Sequence, residues 1–359
     1  MDERRLRIGV VGCGAIAQMQ HLPNLIERPD IWEVTAVCDI SPGLVQAVGD
    51  RFGVSGRYTD YHALLAADVD AVLLCLADPK TPAILAAARA GKHLLIEKPL
   101  CWTVAEADEI VRATHEAGVV AMVGYMKQHE PGYQYARERI LAMRDIRFIQ
   151  VNHLHPDNAL HLRDVRIVRC GDVPEDAREE LRRRQEAGLV AALGAGASSD
   201  ERTAFGLLIG SMIHDISSLR GIFGPPQRVV SAEIWQGGRA LSAVLAYGGD
   251  RRCVASWVDL PDLWDFKETL EVYGAEERVL LSFPTGFSRG RPTTVTVQGS
   301  EGGVPWTRTA AFSHDPGFQR EIAQFHRCIA TGEPPLAGPL EARADVALVH
   351  EIVQAFRRG

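Results

Sequence analysis

The chain has 359 residues, enough for about two domains, with 46% hydrophobic and 24% charged residues, the balance of an ordinary globular protein. A net charge of −7 argues against a nucleic-acid or anionic-membrane surface, which needs clustered positive charge; the richest basic run, Arg178 to Arg184, is broken by Glu179 and Glu180. The seven cysteines are scattered without a CxxC pair, so reduced thiols are expected, with neither a disulfide framework nor a zinc site. Residues 1–7 hold no apolar signal core and no run suits a membrane span, so a cytoplasmic location is expected.

Residues 6–124 alternate short apolar runs with helical stretches. Strands are expected at Leu6–Val11, Glu33–Cys38, Ala71–Leu76, His93–Ile96 and Val119–Val123. Helices are expected at 15–28, Val45–Phe52, Tyr61–Ala66, Thr81–Ala90 and Val104–Ala117. That alternation argues for a parallel, doubly wound sheet. The second half changes rhythm: Phe148–His153, Arg228–Gln236, Leu241–Tyr247, Cys253–Asp259, Thr269–Tyr273, Arg278–Phe283 and Thr293–Gln298 read as strands of a large, mostly antiparallel sheet. Helices are expected at 205–223, 317–331 and 341–357, and residues 156–204 read as a long loop-like insertion. The fold expected is α/β: a doubly wound domain over residues 1–124, then an α/β domain over 125–359 with an open antiparallel sheet and the insertion at about 156–204.

The turn after the first strand is Gly12-Cys13-Gly14-Ala15-Ile16-Ala17. Gly12 permits the tight turn, Gly14 lets backbone approach a pyrophosphate, and the small Ala17 permits close helix–strand packing; the helix N-terminus offers N–H groups to phosphate. Asp39 ends the second strand about 20 residues on, where a carboxylate accepts hydrogen bonds from ribose hydroxyls. It repels a 2′-phosphate, and Ile40-Ser41-Pro42-Gly43 supplies no base to offset it. The N-terminal domain is therefore read as a Rossmann domain for NAD rather than NADP.

The most specific stretch is Ala90-Gly91-Lys92-His93-Leu94-Leu95-Ile96-Glu97-Lys98-Pro99-Leu100. A strand ends in an acid, a lysine and a proline at the edge where ligands of open α/β sheets bind, and a lysine partly desolvated there can serve as a base. With this segment, Val123-Gly124-Tyr125-Met126-Lys127, Ile213-His214-Asp215-Ile216 and Leu270-Glu271-Val272-Tyr273-Gly274, the chain resembles the Gfo/Idh/MocA oxidoreductases, named for glucose–fructose oxidoreductase and inositol dehydrogenase. The resemblance implies NAD(P)-linked chemistry on sugars, aminosugars or cyclitols. Lys98 would be the catalytic lysine, joined to Pro99 by a cis bond, and His214 its partner. It also implies cofactor contacts from Leu76, Ala77, Glu97, Lys98 and Met126 besides Gly12, Gly14, Ala15, Ile16, Ala17 and Asp39. A homodimer or homotetramer formed through the open sheet is expected as well.

Two positions depart from the family pattern. Gly210 stands one helical turn before His214, where many polyol dehydrogenases of the family have aspartate, and Lys80 stands where a histidine is frequent. On a regular helix Asp215 points about 100° from His214 and substitutes poorly for that aspartate. Gly210, His214, Ser217, Ser218 and Gly221 form a small, polar face suited to approach by a cofactor or polyol. His155, Asp157, Asn158 and His161 are candidates for the missing group, and Lys98, Lys127, His155, Asn158, His161, His214 and Asp215 make up the expected substrate set. His153 and His155 form an H-x-H pair, but with no acidic or cysteine partner at a telling spacing no metal site is expected. Trp235, Trp257 and Trp264 are expected to pack in the sheet core. The leading reading is an NAD-dependent dehydrogenase. Redox-neutral, NAD-assisted glycoside cleavage or epimerisation and non-catalytic dinucleotide or sugar sensing are the alternatives.

Overall fold

The computed structural model describes residues 5–163, 165–312 and 317–359, which fall into two compact units. The first takes in residues up to 125, 165–195 and 318–346; the second takes in 126–163, 196–317 and 347–359.

In the first unit, β1 (Leu6–Val11), β2 (Trp32–Cys38), β3 (Gly56–Tyr58), β4 (Ala71–Leu74), β5 (His93–Glu97) and β6 (Ala121–Gly124) form one sheet in the order β3-β2-β1-β4-β5-β6. Every pairing is parallel, so both faces are buried under helices, and the central strands are nearly unbroken apolar runs. The strand order reverses between β1 and β4, the switch point at which ligands of such sheets bind. The helix Gly317–Thr331 repeats apolar residues at Phe318, Ile322 and Phe325, and this stripe closes the core beside β2. Trp32 stacks on Phe325 with ring centroids 5.6 Å apart and donates its indole N–H to the Ile322 carbonyl at 3.2 Å. Residues far along the chain thus complete the N-terminal core, where a division at 124/125 was expected.

Residues 156–204 are not a loop. Helices span Asn158–Leu162, Glu175–Leu193 and Ser199–Leu207. The helix Glu175–Leu193 has acids in its first turn, where they complement the helix dipole, and ion pairs Glu175–Arg178 (3.2 Å), Glu180–Arg183 (2.6 Å) and Glu180–Arg184 (3.0 Å) along its exposed side. It has no continuous apolar stripe, and so lacks the signal by which a helix is read from sequence. Residues 165–195 pack within the first unit: Gln185 Nε2 donates to the Asp78 carbonyl at 3.2 Å, and a Cβ at Gly188 would stand 2.8 Å from the Trp102 ring.

In the second unit, β7 (Ile146–His155), β8 (Arg228–Trp235), β9 (Ala240–Tyr247), β10 (Arg251–Asp259), β11 (Lys267–Gly274), β12 (Glu277–Phe283), β13 (Thr294–Glu301) and β14 (Val304–Ala310) form a sheet in the order β14-β13-β12-β11-β7-β10-β9-β8. Only β7 and β10 pair in parallel. One face, carrying Ile149, Val151, His153, Ala255, Trp257, Glu268 and Leu270, is buried; the other carries half-buried Gln150, Asn152, Ser242, Ser256 and Glu271. Trp257 is in the core as expected, but Trp235 and Trp264 are 41% and 74% exposed, because both lie outside the buried period-two positions. The helix Pro131–Ala142 and the edge strand β14 were not among the expected elements; β14 is largely exposed and shows no alternation to read.

Candidate active site

The glycine turn has the geometry its residues require. Gly12 has φ +95°, its N–H donates to the Cys38 carbonyl at 2.8 Å, and a Cβ there would stand 2.6 Å from the Cys75 carbonyl group. Only glycine fits that close approach of β1 to the chain after β4. Gly14 is exposed, and a Cβ there would meet nothing within 4 Å, so the backbone is open to a pyrophosphate. Ala15 and Ile16 begin the helix and Ala17 is fully buried beneath it. Asp39 accepts from the Cys13 N–H at 2.9 Å and from the Ser41 N–H at 3.1 Å, which fixes its carboxylate at the end of β2. Leu76 and Ala77 follow β4 on the same sheet edge. These residues fit a dinucleotide. Met126, also expected at the cofactor, belongs to the second unit and is buried beside Gly286.

Beyond the turn the helix widens into a π turn, Ala17–His21, which brings His21 inside. His21 Nε2 lies 2.6 Å from Glu97 Oε1, and the ring meets Phe318 edge-on at 5.2 Å. Burial favours a protonated Glu97, but the His21 hydrogen bond and the charges of His21, Lys98 and Lys80 hold its carboxyl below the usual range. A charged Glu97 is therefore locked at the end of β5, with half-buried Lys98 immediately after it and the Lys98–Pro99 peptide cis, as expected. Lys80 is fully buried: its ammonium donates to Asp78 Oδ1 at 2.6 Å and to the Pro99 carbonyl at 2.9 Å. It clamps the segment after β4 to the segment after β5, a structural role the sequence did not suggest.

In the second unit, four of the expected substrate-side residues meet in one polar network with two others. β7 places His153 opposite Glu268 of β11, on the buried face. His153 Nδ1 lies 2.8 Å from Asp215 Oδ2, His153 Nε2 lies 3.1 Å from His155 Nδ1, and His155 Nε2 lies 3.0 Å from Asn158 Oδ1. Lys127 forms a short ion pair with Glu268 and its ammonium stands 5.1 Å from the Phe283 ring centroid. The low-lying Asp215 carboxylate accepts from His153, and neutral His155 shares one hydrogen bond with His153 and one with Asn158. Burial and the charge of His153 hold His155 down at about 4, consistent with that assignment. Burial would raise Asp215, yet the charge and hydrogen bond of His153 keep it low, whereas burial and Asp215 push Glu268 up to about 7. His153, Asp215 and Glu268 bring one potential ligand atom each within 4.8 Å of one another. Lys127 and His153 already contact the two carboxylates, Lys127 at Glu268 and His153 at Asp215.

Asp215, expected in the substrate set and about 100° from His214, is 2% exposed and paired with His153. The reason is a second π turn, Leu208–Met212, immediately before it. A π turn holds an extra residue, so side chains beyond it are rotated by about 100° from their places on an unbroken α-helix. The small polar face is also used otherwise. Ser217 and Ser218 are fully buried and donate to the His214 carbonyl at 3.0 and 2.7 Å. Gln128 and Tyr133 donate to the carbonyls of Ser217 and Ser218, each at 2.8 Å, and Arg137 donates to the Gly221 carbonyl, also at 2.8 Å. Around Ser217, Ser218 and Gly221 that face is a helix-packing surface, while Gly210 is exposed. His214 itself is half-buried on the same helix, and His161 lies edge-on to Phe266 at 6.3 Å, the ring that also packs on His153 and His155. Asp157 caps the helix Asn158–Leu162 through the Ala159 N–H at 2.8 Å. Glu268 had a legible signal that was missed: it shares a period-two row with apolar Leu270 and Val272.

Residues 6–125 match the model of an oxidoreductase family with an NAD-binding Rossmann fold. Inositol 2-dehydrogenase of Salmonella typhimurium is 33% identical over 132 residues, 36% of this chain and 39% of that protein. The dTDP-3,4-didehydro-2,6-dideoxy-α-D-glucose 3-reductase of Streptomyces violaceoruber is 35% identical over 157 residues, 43% of this chain and 45% of that protein. The chain thus spans less than half the length of these curated relatives. Among solved structures, a 3-ketoreductase of Actinomadura kijaniata in complex with NADP and TDP-benzene shares the fold with TM-score 0.73 and 22% identity, over 98% of each chain. The UDP-N-acetylglucosamine 3-dehydrogenase of Acidithiobacillus ferrooxidans does so with TM-score 0.73 and 17% identity, over 99% of each chain.

Proposed function

From a chain that carries the NAD-binding Rossmann domain of the Gfo/Idh/MocA oxidoreductase family, we infer a dehydrogenase that moves a hydride between a nicotinamide and a hydroxyl or ketone of a sugar, aminosugar or cyclitol. The observation that carries this is the shared sheet edge: the open glycine turn after β1, the carboxylate of Asp39 after β2 and the Glu97-Lys98-Pro99 corner after β5 all lie at the C-terminal ends of one parallel sheet. Nicotinamide, when bound, supplies the hydride chemistry. Gly12 and Gly14 admit the pyrophosphate, and Asp39 accepts hydrogen bonds from ribose hydroxyls, which favours NAD. Lys98 takes the proton of the hydroxyl under oxidation, and Glu97, anchored by His21, fixes the end of the strand from which Lys98 projects. His214, Lys127, His155, Asn158, His161 and Asp215 are assigned to the polyol. Support for this assignment comes from the network that joins four of them, whose alternating donors and acceptors suit a hydroxylated ligand. The half-buried polar face of the large sheet suits a second copy of the chain.

The test is Lys98→Met in a panel of sugars, aminosugars and cyclitols with NAD and NADP, read at the reduced-nicotinamide absorbance. Acid–base assistance contributes about 10²–10⁴-fold, so the variant should bind NADH as the parent does and lose turnover by that factor. Full activity in Lys98→Met would sink the assignment.

One observation favours a second reading. Residues of the stretch 166–185 are hydrogen-bonded along the edge that holds the glycine turn, at Gln18, Ser41, Gly43, Arg51 and Asp78. A strap there suits NAD that stays bound through a redox-neutral cycle. Dinucleotide lost on simple gel filtration would count against it.

A further inference from the structure

We propose that Asp172, a residue of the segment between the second unit's β7 and β8, is a determinant of cofactor specificity that bars a 2′-phosphate from the end of β2. The inference rests on the dinucleotide reading above. In Rossmann domains the residues just after the second strand decide between the two cofactors. A carboxylate reads the 2′-hydroxyl of NAD, and donors with positive charge hold the 2′-phosphate of NADP. Here the segment after Asp39 offers two donors suited to a phosphate, the Ser41 hydroxyl and the Gly43 N–H, and both are turned to Asp172. Ser41 Oγ makes a short hydrogen bond to Asp172 Oδ1, and Gly43 N donates to Asp172 Oδ2 at 2.6 Å. Asp172 therefore puts a fixed negative charge on the donors that a 2′-phosphate needs, next to the negative charge of Asp39.

The arrangement is built at both ends. A Cβ at Gly43 would stand 2.7 Å from Asp172 Oδ2 and 3.4 Å from Cys170 Sγ, so glycine at 43 permits the approach. The segment carrying Asp172 is pinned close by. The Gln18 amide exchanges hydrogen bonds with the Val168 backbone, donating to its carbonyl and accepting from its N–H, both at 2.9 Å. Arg51 donates to the Arg166 carbonyl at 2.8 Å and Arg178 to the Gly171 carbonyl at 2.9 Å. Gln18 also donates to the Cys13 carbonyl at 2.8 Å, which ties the segment to the glycine turn itself. The Ser41 and Gly43 hydrogen bonds hold the Asp172 carboxyl below the usual carboxylate range, so it is ionised at neutral pH. Residues 165–195, part of the expected 156–204 insertion, thus lie along the edge that holds the glycine turn.

NADH and NADPH affinities of the full chain, measured by nicotinamide fluorescence titration at low and high salt, test this with Asp172→Asn, Asp172→Ala and Asp172→Glu. A 2′-phosphate carries nearly two negative charges, so removing the carboxylate should tighten NADPH by at least about 10-fold. NADH should change by less than about 3-fold. Asp172→Asn keeps an acceptor for Ser41 and should show the gain, Asp172→Glu should retain the parent's preference, and added salt should narrow the parent's preference but not that of Asp172→Asn. A gain in Asp172→Ala alone would mean that loosening the strap, not charge, sets the preference, and would overturn the proposal. NADH binding with an unchanged NADH:NADPH ratio in all variants would overturn it while leaving the dinucleotide reading intact. A parent that binds neither dinucleotide would overturn that reading and this inference with it.

Discussion

Replacing Lys127 by methionine separates two ways in which the second unit can tolerate its buried charges. Methionine keeps most of the apolar stem against Phe283 and removes only the ammonium that pairs with Glu268. Breaking a buried ion pair typically costs about 3–5 kcal/mol because the abandoned charge stays buried. Glu268 has an escape, since its carboxyl is already pushed up to about 7 by burial and by Asp215. The sign follows from linkage. A carboxyl whose folded pKa is raised binds its proton more tightly in the folded state, so stability falls as pH rises from the unfolded value to the folded one, by about 1.4 kcal/mol per unit. In the parent that loss stops near pH 7, where Glu268 ionises beside Lys127. In Lys127→Met the carboxyl rises further and the loss continues.

The variant should therefore match the parent within about 1 kcal/mol at pH 6 and fall behind by about 2 kcal/mol at pH 8.5. Urea unfolding followed by fluorescence and far-UV circular dichroism at the two pH values measures this. Lys127→Met/Glu268→Gln should abolish the extra pH dependence. A loss of 3–5 kcal/mol that is the same at both pH values would refute the reasoning, because Glu268 would then be staying ionised without its partner.

Two further outcomes follow from the same bookkeeping. His155 is held down at about 4 against about 6.5 in an unfolded chain, so folding stability should drain away as pH falls from about 6.5 to 4, by at most about 3 kcal/mol. His155→Asn should flatten that acid slope by about one proton, and an unchanged slope in chemical unfolding at pH 6.5, 5 and 4 would contradict the burial argument. Glu321 is fully buried, neither of its oxygens has a hydrogen-bond partner among the described residues, and burial and the charge of Glu97 raise its carboxyl well above the ordinary range. Glu321→Leu should stabilise the first unit by about 1–3 kcal/mol at pH 8, and thermal unfolding that shows a loss instead would point to a polar role for this carboxyl.

What could be read in advance was what local chemistry forces. Gly12, Gly14 and Asp39 were legible because a tight turn, an open backbone and a strand-end carboxylate each demand a residue type at a fixed offset. The cis bond between Lys98 and Pro99 was legible only through the family resemblance of the Glu97-Lys98-Pro99 segment, since a lysine at a strand end is by itself most often a solvated surface charge. Asp172 was not: its partners Ser41 and Gly43 lie about 130 residues earlier, and nothing in Gly171-Asp172-Val173 distinguishes that acid from a solvated turn residue. Nor was Lys80, whose burial depends on two loops meeting over it. Glu268 was legible in principle, as an acid on the apolar row of β11.

Two helices share a feature that defeats a 3.6-residue reading. Each contains a π turn, at Ala17–His21 and at Leu208–Met212, and each delivers a titratable group into a buried pair: His21 to Glu97, Asp215 to His153. An extra residue in one turn leaves the apolar stripe continuous on either side, so the hydrophobic pattern still looks helical, but every later position faces one step away from where the pattern puts it. A π turn gives up good hydrogen-bond geometry, and in both helices what is gained is a charged contact that a regular helix would point elsewhere. The π turn at Leu208–Met212 thus helps set which residue of that helix meets His153.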